Sequence, residues 1–148
     1  TAEVPLTSLY AGEILDEAQL PIRLMASLLY LKNSFNLSDE ELAKIKEMGA
    51  TAAIVMHYGG NDWSRAQING LQTQFAAMGI EVIAVTDAGF KPEKQVSDIE
   101  TIMAQKPSII VSIPTDPSAT ASAYKAIQQA GTKVVFIDQA VVGMKAGK

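Results

Sequence analysis

Four short apolar runs at nearly equal spacing constrain the fold of this chain more than any other feature. Their centres are 29, 27 and 25 residues apart, at Ile54, Ile83, Ile110 and Val135. Each interval is long enough for a loop, a helix of about three to four turns and a second loop. The runs are continuously apolar, which is typical of strands that a parallel sheet buries on both faces. The spacing therefore predicts repeated strand–helix–strand units.

The segments between the runs have helical periodicity. The first two each carry an apolar stripe; one ends at Gly79 and the other begins at Pro92. The third ends at Gly131 and has a face of mostly small residues, which favours close approach to a sheet: Ala119, Ala123, Ala126, Ile127 and Ala130. With right-handed crossovers, this pattern predicts an α/β fold with a flavodoxin-like, doubly wound parallel sheet of order 2-1-3-4 and helices on both faces.

The first part of the chain follows a different pattern. Pro21 suits the first turn of a helix, and Ser38 with Glu41 forms a capping box for a second helix, which Gly49 ends. We therefore expect an N-terminal helical extension, residues 1–37, and one α/β lobe, residues 38–148. The first helix is apolar on several sides, which favours a homodimer interface through Ile22, Leu24, Met25, Leu28, Leu29 and Leu31. The alternative is that it covers its own sheet edge in a monomer.

Charge and composition exclude several functions. The net charge is −4 and no basic cluster occurs, so the phosphates of a nucleic acid have no Lys/Arg footprint to bind. The absence of cysteine removes disulfides, thiolate catalysis and cysteine-based zinc sites, and we predict neither a metal nor a cofactor. The apolar stretch 24–31 is far shorter than the about 20 residues of a membrane-spanning helix and lies too far inside the chain for an intact signal peptide. A mature chain that begins near Thr1 after signal removal is consistent with these observations.

A polar loop directly follows the first apolar run and precedes the first helical segment. Residues 59–64 read Gly-Gly-Asn-Asp-Trp-Ser, and open α/β sheets bind ligands at this end of their strands. The indole of Trp63 can stack against the C–H face of a sugar, the alternative being that it packs on its own lobe. Asp62 is predicted to cap the helix that follows, whereas Asn61 fits either a cap or a ligand contact. The loop therefore indicates recognition rather than reaction.

The remaining polar candidates favour structural roles. Asp116, followed by Pro117, is predicted to cap the third helix, and His57 is predicted to be a packed imidazole. An enzyme would need a base near a nucleophile, and His57 with Ser64 or Ser112 is the only candidate set. A phosphorelay receiver domain would need an acidic pair after the first strand, which this chain lacks. We therefore predict no catalytic residues.

Several short motifs occur in the order and spacing of one known family. They are Gly60 to Ser64 after the first strand, Gln67, Gly70 and Phe75 in the first helix, Gly79 to Val82, Pro92 to Glu100, Ile113 to Asp116, and Val135 to Asp138. Through them, residues 37–148 resemble the N-terminal lobe of periplasmic sugar-binding proteins of the ribose-binding-like group. That group is related to the ligand-binding domains of lactose-repressor-type regulators.

The resemblance implies a ligand held between two lobes by the loops at the carboxyl ends of the strands. Asp138 matches an acidic residue that accepts hydrogen bonds from sugar hydroxyls. Relatives often have a polar residue in place of Ile113 and an arginine in place of Gln139, so a linear polyol or another small polar ligand is as consistent with this sequence as a pentose. By position, the residues expected to contact or border the ligand are Asn61, Trp63, Asp87, Asp138 and Gln139.

The same resemblance implies the solute-binding component of a bacterial ABC transporter. Its ligand is a small sugar or polyol, its partner a membrane permease, and its location periplasmic or otherwise extracytoplasmic, as a secreted protein or lipoprotein. Such a protein needs a second lobe, so the chain is expected to be a fragment or a one-lobed relative. The alternatives are a one-lobed interaction module that dimerises through its N-terminal helix, or the ligand-sensing domain of a regulator.

Overall fold

Helices and strands alternate along the chain in a computed structural model that describes residues 38–144. The elements are α1 (Asp39–Glu47), β1 (Thr51–Met56), α2 (Asp62–Met78), β2 (Glu81–Asp87), α3 (Pro92–Met103), β3 (Ile109–Ser112), α4 (Ala121–Gln129) and β4 (Lys133–Phe136). The predicted helix after Pro21, and the dimer interface assigned to it, lie outside the described residues. No helix between residues 38 and 144 combines the length and the apolarity needed to cross a bilayer.

The four strands form one parallel sheet of order β2-β1-β3-β4, which confirms the predicted topology. The two central strands are almost entirely buried, as continuous apolar runs predict. The two edge strands are not: Val85 of β2 is 41% exposed and Val135 of β4 is 46% exposed. The prediction that all four strands are covered on both faces was therefore wrong for β2 and β4, because each of them has a strand neighbour on one side only among the described residues.

Alternate residues of the central strands face two separate hydrophobic clusters. Ala52, Ile54 and Met56 of β1 pack with Phe75 of α2 on one face of the sheet. Ala53 and Val55 pack on the other face with apolar side chains of α3 and α4, namely Ile99, Ile102, Tyr124 and Ile127. Because successive side chains of a strand point to opposite faces, this division places α2 on one face and α3 with α4 on the other. The doubly wound arrangement is confirmed.

The helix boundaries follow local sequence signals. Asn61 accepts a hydrogen bond from the Ser64 amide at the start of α2, and Gly79 ends that helix in the left-handed conformation at φ 73°. Pro92 occupies the first turn of α3, where the missing N–H has no helical partner to lose. Two predicted boundaries, Gly79 and Pro92, are therefore confirmed.

The face that α4 turns to the sheet differs from the predicted small-residue face. Tyr124 and Ile127 are fully buried there, whereas Ala126 and Ala130 are exposed. The Tyr124 hydroxyl lies 2.5 Å from Ser112 Oγ, and Ser112 Oγ donates to the Val55 carbonyl at 2.7 Å. The tyrosine ring therefore lies between α4 and the sheet, where alanines were expected to allow a close approach. Its hydroxyl is satisfied by Ser112 on β3.

Because Tyr124 is buried, its contribution to stability changes with pH in the alkaline range. Removal of its hydroxyl from water raises the pKa to about 12 from 10.0, opposed in part by the hydrogen bond with Ser112. Because the folded pKa exceeds the unfolded one, this contribution is complete below pH 10 and is lost as pH rises to about 12. We expect a fall in the free energy of unfolding of about 3 kcal/mol across that range from this group.

Denaturant titrations of wild type and Tyr124→Phe between pH 8 and pH 12 measure this effect. The variant should lose about 1 kcal/mol at pH 8, where the hydroxyl still forms its hydrogen bond. Above pH 10 its stability should decline less steeply than that of wild type. Parallel curves for the two proteins would contradict the assignment.

Candidate ligand-binding site

The loops at the carboxyl ends of the four strands meet along one edge of the sheet, because all the strands are parallel. The loop after β1 is tied to the loop after β2, since the Phe90 amide donates to the His57 carbonyl at 2.8 Å. The Ile137 amide donates to the Ser112 carbonyl at 2.9 Å and ties the end of β4 to β3. Every residue predicted to contact the ligand lies along this edge.

The first turn of α2 supplies Asn61 and Trp63. Asn61 uses its side-chain oxygen as the helix cap, which leaves its amide nitrogen as a donor for another group. Asp62, predicted as the cap, is instead the first helical residue and forms an exposed ion pair with Arg65. That prediction was wrong because the backbone is extended at Asn61, with ψ 168°, and this conformation directs the Asn61 side chain to the backbone amide of Ser64.

Trp63 is 46% exposed at the start of α2. Neither of the two hydrophobic clusters includes it. A half-exposed indole offers a flat apolar surface at low entropic cost, since only two torsions fix it.

Asp87 ends β2 and lies beside the loop after β1. Its Oδ1 atom accepts a hydrogen bond from the Gly89 amide at 2.8 Å. Its Oδ2 atom lies 3.1 Å from the point where a side chain at Gly59 would begin, so glycine lets the carboxylate approach this loop. The Asp87 side chain is exposed.

The loop after β3 is held by a residue that the sequence analysis missed. Gln95 is fully buried in the first turn of α3, where its Nε2 atom donates to the Ile113 carbonyl at 2.8 Å. Its Oε1 atom accepts from the Thr115 amide at 2.7 Å. The signal was present in the sequence, because Gln95 precedes Ile99 and Ile102 by four and seven residues, on the buried stripe of this helix.

Asp138 and Gln139 follow β4. Asp138 is exposed and adopts φ 68°, a left-handed conformation that aspartate tolerates better than most residues. Gln139 donates from Nε2 to the Pro114 carbonyl at 2.6 Å, so its side chain fixes the position of this loop against the loop after β3.

The sheet separates Asp87 from Asp138. They end the two edge strands, with β1 and β3 between them. Three spacings of roughly 4.8 Å put the two strand ends about 14 Å apart. Along this edge Asp87 therefore neighbours the loop after β1, and Asp138 neighbours the loop after β3.

The Asp116 side chain accepts hydrogen bonds from the backbone of the loop that leads to α4. Its Oδ1 atom accepts from the Ser118 and Ala119 amides at 2.8 and 2.7 Å. These hydrogen bonds lower the pKa of Asp116, because they stabilise its charged form. The prediction that Asp116 caps the third helix was wrong, because that helix begins at Ala121 with Thr120 as its N-cap; Asp116 caps the turn that precedes it.

The possible Ser–His catalytic pair is not assembled. Ser112 Oγ is occupied by Val55 and Tyr124, and Ser64 is fully buried without a hydrogen bond to His57. His57 packs edge-on against Phe90 with ring centroids 5.2 Å apart, the packed role predicted for it. In the described part of the chain, no cluster of three or more histidine or acidic side chains can hold a metal ion.

The family follows from comparison of the sequence with family models. The model described as "Periplasmic binding protein domain" matches residues 52–148, about two thirds of the chain. The chain belongs to the periplasmic binding protein family. The family and its solved relatives are described as binding proteins and transporter components rather than as enzymes. No curated protein sequence matches significantly.

Solved structures of periplasmic binding proteins share this fold. The Caulobacter myo-inositol binding protein, bound to myo-inositol, is 23% identical with a TM-score of 0.60, over 66% of this chain and 33% of that one. A Mycobacterium smegmatis ABC transporter solute binding protein with bound glycerol is 22% identical with a TM-score of 0.60, over 64% and 33% of the two chains. An ABC sugar transporter subunit from Rhodobacter sphaeroides 2.4.1 is 26% identical with a TM-score of 0.55, over 64% and 33%.

The matched region spans about a third of the length of these relatives. The periplasmic binding protein lobe described by residues 38–144 thus corresponds to part of a larger architecture in each of them.

Proposed function

We propose that the protein is the solute-binding component of a bacterial ABC transporter and binds a small uncharged sugar or polyol between this lobe and a second one. It acts outside the cytoplasmic membrane, as a secreted protein or lipoprotein, and delivers the ligand to a membrane permease. Family membership supports this proposal. Relatives named for ribose, D-allose, glycerol and myo-inositol support a polyhydroxy ligand.

Trp63 is the observation that carries the proposal. A half-exposed indole at the carboxyl edge of a parallel sheet is suited to pack against the C–H face of a sugar or polyol. Such a contact is apolar at its centre and leaves the hydroxyl groups at its rim free for hydrogen bonds. The neighbouring loops provide the groups that could form them.

The polar residues near Trp63 favour an uncharged ligand. We assign the amide nitrogen of Asn61 as a donor and the carboxylate of Asp138 as an acceptor for ligand hydroxyls. Gln139 holds its loop on Pro114 and offers its amide oxygen as a further acceptor. None of these three residues is cationic, and the neighbouring Arg65 forms an ion pair with Asp62, so the site favours an uncharged ligand over a phosphate or carboxylate.

The proposal is tested by titration of the full-length protein with myo-inositol, D-ribose, D-allose and glycerol, against L-leucine, L-glutamate and inorganic phosphate. Calorimetry gives the dissociation constants. Trp63 is the one tryptophan among these 148 residues, so its fluorescence should also change when a sugar stacks on it. Binding of a polyhydroxy compound is expected. Binding of only amino acids or phosphate would refute the ligand class.

Self-association through the N-terminal helix stays a prediction, because that helix lies outside the described residues. Light scattering at micromolar concentration measures it, and a particle of twice the monomer mass is expected for a dimer. Leu28→Glu should convert that particle to a monomer, because it places a charge in an apolar interface. A wild-type protein that is monomeric at these concentrations would exclude the homodimer.

A further inference from the structure

Tyr58 and Phe90 form an aromatic platform where the carboxyl ends of β1 and β2 meet. The rings of Tyr58 and Phe90 are stacked, with centroids 4.7 Å apart and planes inclined by 14°. His57 supports Phe90 edge-on, at a centroid distance of 5.2 Å. Phe90 is nonetheless 59% exposed, so one face of this platform is open to solvent.

The backbone holds Phe90 in this place at an energetic cost. Its φ is 61°, a left-handed conformation that is unfavourable for a residue with a bulky side chain. The Phe90 amide donates to the His57 carbonyl at 2.8 Å and fixes the loop in this conformation. Glycine or asparagine would satisfy the backbone better, so stability does not explain a phenylalanine here.

A carboxylate and a close approach of two loops complete the surface. Asp87 accepts the Gly89 amide with one oxygen, while its second oxygen faces Gly59 in the loop after β1. A side chain at Gly60 would collide with the Tyr58 hydroxyl, so Tyr58 reaches from Phe90 to the residue that precedes Asn61. The platform is thereby continuous with the loop that carries Trp63.

We propose that Phe90, Tyr58 and Asp87 form a second sugar-ring subsite, so that the ligand is a disaccharide or glycoside of two linked rings. This inference rests on the proposed function, which places the first ring at Trp63 and Asp138. Aromatic surface beside a carboxylate acceptor matches a sugar ring, which has an apolar C–H face and hydroxyl donors at its edge. The separation of about 14 Å between the ends of β2 and β4 exceeds one ring and fits two.

The test uses the full-length protein and compares each of two monosaccharides with two disaccharides that contain it. D-glucose is compared with maltose and cellobiose, and D-galactose with lactose and melibiose. Calorimetry should show at least one disaccharide binding about tenfold more tightly than its monosaccharide, equivalent to 1.4 kcal/mol. Phe90→Asn should abolish this gain and leave the monosaccharide affinity within about twofold. Asparagine suits the left-handed backbone, so the loop should keep its shape. Phe90→Tyr, which keeps the ring, should retain the gain.

The outcomes separate this inference from the proposed function. If a monosaccharide binds and none of the four disaccharides binds more tightly, the second subsite is wrong and the proposed function stands. The second subsite is also wrong if Phe90→Asn leaves the ratio of disaccharide to monosaccharide affinity unchanged. An equal weakening of both sugars is such a result, and it would fit the loss of a contact between lobes. If no saccharide in the set and no polyol binds, both proposals fail.

Discussion

Replacement of Trp63 by alanine should weaken sugar or polyol binding by roughly 30-fold, or about 2 kcal/mol, which is the loss typical of a tryptophan at the centre of a binding surface. The physical reason is the loss of the large apolar face that the first turn of α2 presents. Because Trp63 is 46% exposed and belongs to neither hydrophobic cluster, the free energy of unfolding should change by less than about 1 kcal/mol.

Calorimetric titration of wild type and variant with the tightest ligand of the screen measures this effect. Trp63→Phe is the matched control, because it keeps a smaller aromatic face and should lose less than about tenfold. A dissociation constant for Trp63→Ala within twofold of wild type would show that the indole only packs on its own lobe. A large loss of stability in the same variant would point to the same alternative.

Replacement of Gln95 by leucine should lower the free energy of unfolding by about 2–4 kcal/mol, because a buried backbone group loses its partner at about 1–3 kcal/mol and a part-buried one loses its partner at a smaller cost. The groups are the Ile113 carbonyl and the Thr115 amide. Leucine has nearly the volume of glutamine, so packing changes little and the measured loss reports the two hydrogen bonds. The loop after β3 should also lose order, which should weaken ligand binding.

Urea denaturation with a spectroscopic readout measures the change. Gln72→Leu is the control, since Gln72 is exposed on α2 and its replacement should shift stability by less than about 0.5 kcal/mol. Equal effects of the two substitutions would mean that the amide of Gln95 does not hold the loop. Gln95→Glu offers a further check, because a buried carboxylate would destabilise the protein more at neutral than at acidic pH.

The site was predicted from the sequence only in its outline. Residues that follow an apolar run must lie at the carboxyl end of a strand, so Asn61, Asp87 and Asp138 could be assigned to one edge without coordinates. The predicted order 2-1-3-4 also placed Asp87 and Asp138 at opposite ends of that edge, as the structure has them. The hydrogen-bond partners of the polar side chains along the edge could not be predicted.

Some residues were missed or given a wrong role for a related reason. Gln95 reads as an ordinary polar residue in a first helical turn, and its partners lie 18 and 20 residues away. Tyr124 was passed over in favour of alanines because helical periodicity alone does not tell how much space a sheet leaves. The stack of Phe90 on Tyr58 joins two loops that meet only because β1 and β2 are paired.

The sequence by itself determined the elements and their class. Apolar runs at regular spacing defined the strands, and Gly79 and Pro92 set helix ends, because these signals act between residues a few positions apart. Tertiary structure decided how deeply each strand is buried, which polar groups are paired and which aromatic rings stay exposed. Those properties depend on the register of parallel strands separated by about 30 residues of chain, and that register is fixed only when both faces of the sheet pack.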